Sequence, residues 1–208
     1  MAPKTVRVEV PDGHIQPAWE VALLLPEQGQ WSEDDYFWLT DRTKRLVELT
    51  DGHVEVLPMP TDEHQRLVLF LYRMLYAYLA ARKIGIVLVA PLRLFLDAGR
   101  YREPDLLLLL SIEDARRSNR FWTGADLVID VVSPDDPQRD LVRKRQEYAA
   151  AGIPEYWIVN PQAAQMIVYT LEGAAYVEHG VFTHGEAATS PLLEGFRVEM
   201  TDLLETQS

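Results

Sequence analysis

The segment from Ala125 to Asn160 restricts the fold more than any other part of the sequence. It contains two apolar runs, Leu127–Val132 and Tyr156–Val159, which flank a stretch rich in charged residues. Short apolar runs of this kind are typical of buried strands. The residues between them predict a helix from about Pro137 to Ala151, and Gly152 is a common residue where a helix ends. The sequence therefore predicts a strand–helix–strand unit that belongs to a helix-covered sheet.

Two charged residues lie on the predicted inward faces of this unit. Asp130 stands in the middle of the first strand. Lys144 lies in a helix stripe, spaced by three and four residues, that also contains Leu141, Tyr148 and Ala151. A buried carboxylate is costly unless a charged partner meets it. The pair predicts a functional site, and the alternative is an ion pair that only holds the fold together.

Asp105 is a second acid placed beside an apolar strand. It precedes five consecutive leucines, Leu106–Leu110, and such a continuous run indicates a central strand covered on both faces. Because the strand of Asp130 is equally apolar, we expect the two strands to be neighbours in one sheet. The alternative for Asp105 is an acid at a strand edge that faces solvent.

Caps, turns and periodicity predict the remaining elements. Ser32 and Thr61 are typical N-cap residues, and acids follow each of them in the first helical turn. Asp51-Gly52 between alternating apolar residues predicts a hairpin. The predicted helices cover residues 33–39 and 62–82, the predicted strands cover 1–10, 45–49, 53–59, 86–96, 166–169, 175–181 and 196–200, and residues 111–124 form a polar connection. This order predicts an α/β or α+β fold in which helices flank a central mixed sheet.

The chain is expected to form one domain. Its 208 residues, of which 48% are hydrophobic, suffice for a single substantial core. Prolines interrupt residues 11–31, so residues 1–31 are expected to form an N-terminal arm of the domain whose body is residues 32–208.

Composition excludes several classes of protein. The absence of cysteine excludes disulfides, cysteine zinc sites and a thiol nucleophile, and it is compatible with the reducing cytoplasm, where we expect the protein to act. No segment has the apolar length of a signal peptide or a membrane span. A formal net charge of −12 argues against a broad basic surface for nucleic acid. It leaves room for a local basic groove and for a site that attracts a divalent cation.

Glu48 and His64 are two further candidate site residues. Glu48 lies in the first strand of the hairpin, and His64 precedes the apolar stripe of the second helix by three and four residues. His64 should therefore face inward. A single inward histidine is more often a hydrogen-bonded core residue than a ligand, so a structural role is the alternative.

These residue types suit the hydrolysis of a phosphodiester. Two carboxylates on neighbouring strands make a hard, oxygen-rich site of the kind that Mg²⁺ prefers. Such an ion polarises a phosphodiester and lowers the pKa of bound water. A nearby lysine stabilises the charge that develops on the phosphoryl group.

The motifs in this order resemble the PD-(D/E)XK nuclease superfamily and, more closely, the Uma family of restriction endonucleases. The similarity extends over roughly residues 32–205 and is most specific where several motifs follow one another at matching distances. The matching segments are Val47–Gly52, Pro58-Met59-Pro60 with His64, Pro104-Asp105-Leu106, Ile129–Pro134, Asp140 with Lys144 and Tyr148, and Gly152–Trp157.

The resemblance implies a restriction-endonuclease-like fold and DNA cleavage that depends on Mg²⁺ or Mn²⁺. It implies that Asp105, Asp130 and the carbonyl of Val131 bind one cation and that Lys144 is catalytic. We assign Glu48 to a second ion or its water. We assign His64 to the orientation of a phosphate or of that water.

Two positions depart from the family pattern. The family usually has Glu where this chain has Asp130, which is one methylene shorter. The superfamily pattern places its lysine two residues after this acid, where this chain has Val132. The resemblance therefore assigns the lysine to Lys144 on the following helix.

The alternative function is a catalytically silent module that keeps the nuclease fold and binds nucleic acid or a protein. The acidic charge and the shorter Asp130 favour it. For the nuclease, five arginines near the site in sequence are expected to contact DNA locally, and cleavage of both strands would favour a two-fold homodimer. These arginines are Arg100, Arg102, Arg139, Arg143 and Arg145.

Overall fold

The structure is a computed structural model that describes residues 7–9, 15–17, 22–133 and 136–206. Strands β1 (Arg7–Glu9) and β2 (Ile15–Pro17) pair in an antiparallel manner. The predicted strand over residues 1–10 and the predicted N-terminal arm lie mostly outside the described residues.

Two helices begin at the residues predicted to cap them. Helix α1 (Glu33–Thr40) follows Ser32, whose Oγ accepts a hydrogen bond from the amide of Asp35 at 3.1 Å. Helix α2 (Asp62–Arg82) follows Thr61 and ends at Lys83, which has a left-handed backbone conformation with φ of 58°. Its buried stripe consists of Leu67, Val68, Leu71, Leu75 and Leu79.

In the described part of the chain, two larger sheets contain most of the strands. The order in the six-stranded sheet is β13 (Ala175–Thr183), β12 (Gln165–Glu172), β11 (Glu155–Asn160), β10 (Leu127–Val131), β8 (Leu106–Leu109) and β5 (Ile86–Val89). The order in the five-stranded sheet is β4 (His53–Val56), β3 (Val47–Thr50), β7 (Arg100–Arg102), β6 (Arg93–Asp97) and β9 (Phe121–Trp122). A small hairpin pairs β14 (Ala187–Thr189) with β15 (Arg197–Glu199), and α4 (Met200–Glu205) follows it.

The strands next to Asp105 and Asp130 are neighbours, as predicted. β8 and β10 are antiparallel, with Leu108 opposite Leu127 and Leu106 opposite Ile129. β10 and β11 are parallel, so the helical segment between them is a crossover connection. The large sheet is therefore mixed, and it places both acids near the same end.

Alternation along β8 and β10 divides the core between the two faces of the sheet. Leu106 and Leu108 belong to the cluster that packs against α2, whereas Leu107 and Leu109 belong to the cluster on the opposite face. The same period of two places Asp130 on the opposite face, together with Val128 and Val132. Asp130 thus points toward the crossover segment and away from α2.

Several predicted elements are wrong in detail. Residues 86–96 form two strands, because the chain turns at Pro91 and β5 and β6 enter different sheets. The predicted polar connection contains β9, and the strand predicted to reach Met200 ends at Glu199, where α4 begins. β5 pairs with β8 and β9 pairs with β6, so these strands depend on partners from other parts of the chain. Among the described residues, no helix combines the length and apolar character needed to span a membrane.

The crossover helix is irregular. A π-helix (Arg139–Lys144) precedes α3 (Arg145–Ala150). The wider turn brings Arg139 and Asp140 to the buried face beside Lys144. The stripe prediction is therefore correct for Lys144 and Tyr148, which are buried, and for Leu141, which is half-buried and packs against the core, and it is wrong for Ala151, which is exposed.

Candidate active site

A cavity of about 390 Å³ lies where the two large sheets approach each other. Its walls come from the first turn of α2, the segment after β4, the turn between β5 and β6, the end of β10 and the π-helix. Five carboxylates line it: those of Asp105, Asp130 and Asp140, and those of Glu63 and Glu103. The cavity therefore collects acids from several separate parts of the sequence.

Asp105 and Asp130 converge through the pairing of their strands. Asp105 Oδ2 accepts a hydrogen bond of 2.7 Å from the amide of Val131, the residue after Asp130. The Asp105 side chain is only 18% exposed. This bond fixes the Asp105 carboxylate against the end of β10.

His64 lies beside Asp105. The first turn of α2 places His64 Nε2 at 3.2 Å from Asp105 Oδ2. Burial lowers the pKa of His64, but the hydrogen bond and the charge of Asp105 raise it more, so this pKa lies above its ordinary value. Nδ1 is buried and has no hydrogen-bond partner among the described residues. A water or a substrate oxygen would satisfy this nitrogen.

Lys144 is buried among three carboxylates. Its Nζ lies 3.0 Å from Asp130 Oδ1, 3.3 Å from Asp140 Oδ1 and 3.6 Å from Glu48 Oε1. Burial lowers the pKa of Lys144, but these acids raise it well above its ordinary value. Lys144 is therefore an ammonium ion at the floor of the site.

Tyr156 contacts the second oxygen of Asp130. Its hydroxyl lies 3.0 Å from Asp130 Oδ2 and 3.2 Å from the carbonyl oxygen of Asp140. Burial raises the pKa of Asp130 more than Lys144 lowers it, and Asp140 and Asp105 add to the rise, so this pKa is about 6. The motif Gly152–Trp157 contains Tyr156, but sequence reasoning did not assign it to the site.

Glu48 does not line the cavity. Its Oε2 accepts a hydrogen bond of 2.7 Å from Arg102, and its Oε1 accepts one of 3.0 Å from the amide of Glu103. Although burial raises the pKa of Glu48, Lys144 and Arg102 lower it more, to about 2. Because both oxygens already have donors, this placement favours Glu48 as a support for Lys144 over the predicted role as a metal ligand.

Asp140 is a cavity residue that sequence reasoning did not select. Its Oδ2 accepts a hydrogen bond of 3.3 Å from the amide of Ser133, and its Oδ1 lies 3.6 Å from Arg139 Nε. The available signals were its place in a segment that matches the family and its spacing of four residues from Lys144. That spacing usually indicates an exposed helical ion pair, and only the π-helix brings the pair into the site.

The cavity contains the types of side chain that bind a divalent cation. Five carboxylates and three cations line the cavity; the cations are Lys44, Arg139 and Lys144, and Arg139 also pairs with Glu55 at 2.8 Å. Carboxylate oxygens and excess negative charge fit Mg²⁺ or Mn²⁺. Among the described residues, however, no group of three His, Asp or Glu side chains is preformed as a ligand set. Lys144 and Tyr156 occupy the oxygens of Asp130 instead.

The arginines expected to contact DNA have partners within the protein. Arg102 is buried between Glu48 and Glu147, so the prediction that it contacts DNA is wrong, whereas Arg139 is buried but lines the cavity. The remaining contacts are Arg100 with Asp51, Arg143 with Asp136 and Arg145 with Tyr169. Lys44 is exposed at the edge of the cavity, and within residues 22–133 and 136–206 it has no ion-pair partner.

Comparison with known proteins places the chain in a family. The family model Uma2, described as "Putative restriction endonuclease", matches residues 33–201. No protein with a curated description matches the chain in sequence. A crystal structure described as a putative nuclease belonging to DUF820 from Anabaena variabilis ATCC 29413 is similar over 88% of this chain and 100% of that one, with a TM-score of 0.71 and 17% sequence identity. That likeness shows a nuclease-like fold, and because the family match spans most of the sequence, the chain belongs to the Uma2 restriction endonuclease family.

Proposed function

We propose that this protein is a metal-dependent nuclease that hydrolyses phosphodiester bonds in DNA. The observation that carries the proposal is the meeting of Asp105, Asp130 and Lys144 in one cavity, although they come from three separate elements. Membership of a nuclease family supports the same reaction class. The metal and the nucleic acid are the parts of the proposal that experiments must test.

Asp105, Asp130 and the carbonyl of Val131 would hold Mg²⁺ or Mn²⁺. All three residues line the cavity, and their oxygens are the donors that such cations prefer. When bound, the cation supplies charge stabilisation to the phosphodiester and lowers the pKa of coordinated water.

The other residues of the site supply charge and orientation. The Lys144 ammonium faces Asp130 and can stabilise negative charge that develops on a phosphate placed there. Glu48 and Asp140 hold this ammonium in its protonated form. Tyr156 orients Asp130, and His64 orients Asp105, while an ordered water would satisfy its buried Nδ1.

The alternative is a catalytically silent member that binds DNA or a protein through the same fold. One observation favours it: both oxygens of Asp130 already have partners, Lys144 and Tyr156. In the active protein, these contacts must be shared with the cation or exchanged for it. A divalent affinity that does not depend on Asp130 would support the silent module.

Plasmid nicking tests the proposal. The wild type should convert supercoiled DNA to the open circle with Mg²⁺ or Mn²⁺ and should be inactive with a chelator. Asp105→Ala and Asp130→Ala should abolish nicking and weaken Mn²⁺ binding measured by calorimetry. Asp34→Ala is a matched control, because Asp34 is an exposed acid on α1 and lies outside the cavity. Equal metal affinity in all four proteins would reject this site.

The assembly is part of the same proposal. Cleavage of both strands of a duplex needs two sites, which a two-fold homodimer would supply. Sedimentation velocity with and without DNA distinguishes a dimer from a monomer that cuts one strand at a time.

A further inference from the structure

The cavity has two chemically different sides. Three of the acids lie near Lys144: Asp105 precedes β8, Asp130 is at the end of β10 and Asp140 is on the π-helix. The apolar side comes mainly from the segment after β4 and from the turn between β5 and β6. Its residues are Leu46, Leu57, Pro58, Met59, Pro60, Ala90 and Pro91.

The phosphodiester group of a substrate would contact only the polar side of the cavity. The apolar side must therefore face another part of the substrate, and the parts attached to a DNA phosphate are its sugars and bases. The cavity volume of about 390 Å³ falls in the range of sites that enclose one small molecule. It can admit one nucleotide, whereas a base within a duplex is covered on both faces by its stacked neighbours and cannot enter until it is extruded.

The edge of the apolar side carries an exposed methionine. Met59 is 68% exposed and lies between Pro58 and Pro60, which restrict the backbone on both sides of it. Leu57, by contrast, is buried and anchors the segment. Methionine and proline are among the residues that proteins insert between base steps. The segment Leu57–Pro60 thus presents a stiff apolar surface beside the acids.

The charges near the cavity do not favour a duplex. Duplex binding usually rests on many phosphate contacts from Lys and Arg. Here the cations that line the cavity within the described residues are Lys44, Arg139 and Lys144, and the last two are buried in ion pairs. Single strands, in contrast, bind through stacked bases together with a smaller number of cations.

We infer that the cavity takes one nucleotide with its base unstacked and packed against Met59, so that single-stranded or locally unpaired DNA is the preferred substrate. This inference rests on the proposed nuclease function. It assigns the acids to the scissile phosphate, Lys44 to a neighbouring phosphate and the segment Leu57–Pro60 to the base.

Cleavage of matched oligonucleotides tests the preference. One end-labelled sequence is presented as a single strand, as a perfect duplex and as a duplex with a three-nucleotide bubble, each with Mn²⁺. The single strand and the bubble should be cut at least about tenfold faster than the duplex. Extrusion of a paired base costs free energy, and that cost slows cleavage of the duplex by at least about this factor. Cuts in the third substrate should fall within the bubble.

Substitution of Met59 tests the assignment of the base. Met59→Ala should slow cleavage of the single strand by about five- to hundredfold, since a lost base contact is of that order, whereas Met59→Leu should retain most of the rate. Met74→Ala is the control, because Met74 is 37% exposed on α2 and does not line the cavity. A 2-aminopurine base in the bubble gives a second readout: its fluorescence should change on binding to wild type and to Met74→Ala but not to Met59→Ala.

The outcomes separate the inference from the proposed function. Equal or faster cutting of the perfect duplex, or a Met59→Ala protein that matches wild type in both assays, would overturn the inference and leave the nuclease proposal intact. A complete lack of metal-dependent cleavage on all three substrates would overturn the nuclease proposal and the inference that rests on it.

Discussion

Lys144 is the residue on which the charge balance of the site depends. Its ammonium lies within 3.6 Å of Asp130, Asp140 and Glu48, and all four side chains are buried. Removal of one partner from such a group leaves buried charges without compensation. Lys144 therefore contributes to stability as well as to the proposed reaction, and a test must measure both.

We predict that Lys144→Met lowers the free energy of unfolding by about 3–5 kcal/mol and slows cleavage by about 10²–10³-fold, as for the loss of a preorganised charge. Lys144→Arg keeps the positive charge and should be affected less. Urea unfolding and metal-dependent nicking of the same samples, at a temperature where both variants are folded, provide the measurement. Undiminished cleavage by folded Lys144→Met would remove Lys144 from the reaction.

We predict that the affinity for Mn²⁺ rises with pH because of Asp130. Its pKa of about 6 lies above the ordinary value of 3.8, so protons compete with the cation below pH 6 and are released above it. Affinity should fall by up to about tenfold per pH unit below 6 because of Asp130, while His64, whose pKa lies above its ordinary value, and Glu103, whose pKa is about 7, extend a weaker dependence to higher pH. Calorimetry between pH 5 and 8 measures this dependence, and Asp130→Asn should lose the part below pH 6. A flat profile for the wild type would contradict the prediction.

Sequence reasoning found the site residues that violate a pattern and missed those that fit one. Asp130 and Lys144 stood out because a charge interrupts an apolar run or stripe. Asp140 resembles an ordinary helical acid, and Tyr156 resembles an ordinary core aromatic residue. Their roles depend on the π-helix and on the parallel pairing of β10 with β11, which are tertiary features.

At the scale of elements, the first turn of α2 connects stability to the site. Thr61 Oγ1 accepts a hydrogen bond of 3.2 Å from the amide of His64, the residue that contacts Asp105. We predict that Thr61→Ala lowers the free energy of unfolding by about 0.5–2 kcal/mol, the usual cost of a lost N-cap. Thr61→Ser keeps the hydroxyl and should remain close to wild type. Thermal or urea unfolding of the three proteins measures the difference, and equal stability of all three would show that the cap contributes nothing.

Some residues of the motifs that match the family hold elements together. Glu155 accepts hydrogen bonds from Trp157 Nε1 at 2.7 Å, from Ser190 Oγ at 2.6 Å and from the amide of Leu192 at 2.8 Å. It therefore ties β11 to the loop between β14 and β15. The similarity of the segment around Glu155 to the family thus has a structural cause, whereas the adjacent Tyr156 contacts the site.

Local signals predicted the elements that local interactions determine. The N-caps and buried stripe of α2 and the hairpin of β3 and β4 are as expected, because caps, periodicity and an Asp-Gly turn act over a few residues. The division of residues 86–96 between two sheets and the π-helix were missed. Both are decided by which distant strand or charge a residue meets, and periodicity carries no information about that choice.

At the scale of the whole molecule, the acidic net charge agrees with the observation that the arginines near the site pair with groups of the protein itself. The net charge is −12, and the arginines closest in sequence to the site contact acids or a tyrosine of the same chain. A protein of this kind cannot gain affinity for DNA by neutralising many phosphates. Recognition must depend on the cavity and its immediate edge.

The small number of cations at the cavity predicts that the affinity for DNA depends only weakly on salt concentration. The logarithm of the affinity for a single strand should fall with the logarithm of salt concentration with a slope of about −1 or smaller in magnitude, since each phosphate contact contributes roughly −0.7. Lys44→Ala should reduce the magnitude of the slope by about 0.7, because Lys44 is an exposed lysine at the cavity edge with no ion-pair partner among the described residues. Lys83→Ala, at the far end of α2, is the control and should leave the slope unchanged.

Fluorescence anisotropy of a labelled strand, titrated at several salt concentrations with Ca²⁺ in place of Mn²⁺ to slow cleavage, supplies the data. A wild-type slope several times steeper would mean that a basic surface outside the cavity binds the backbone, and an unchanged slope for Lys44→Ala would remove Lys44 from the interface.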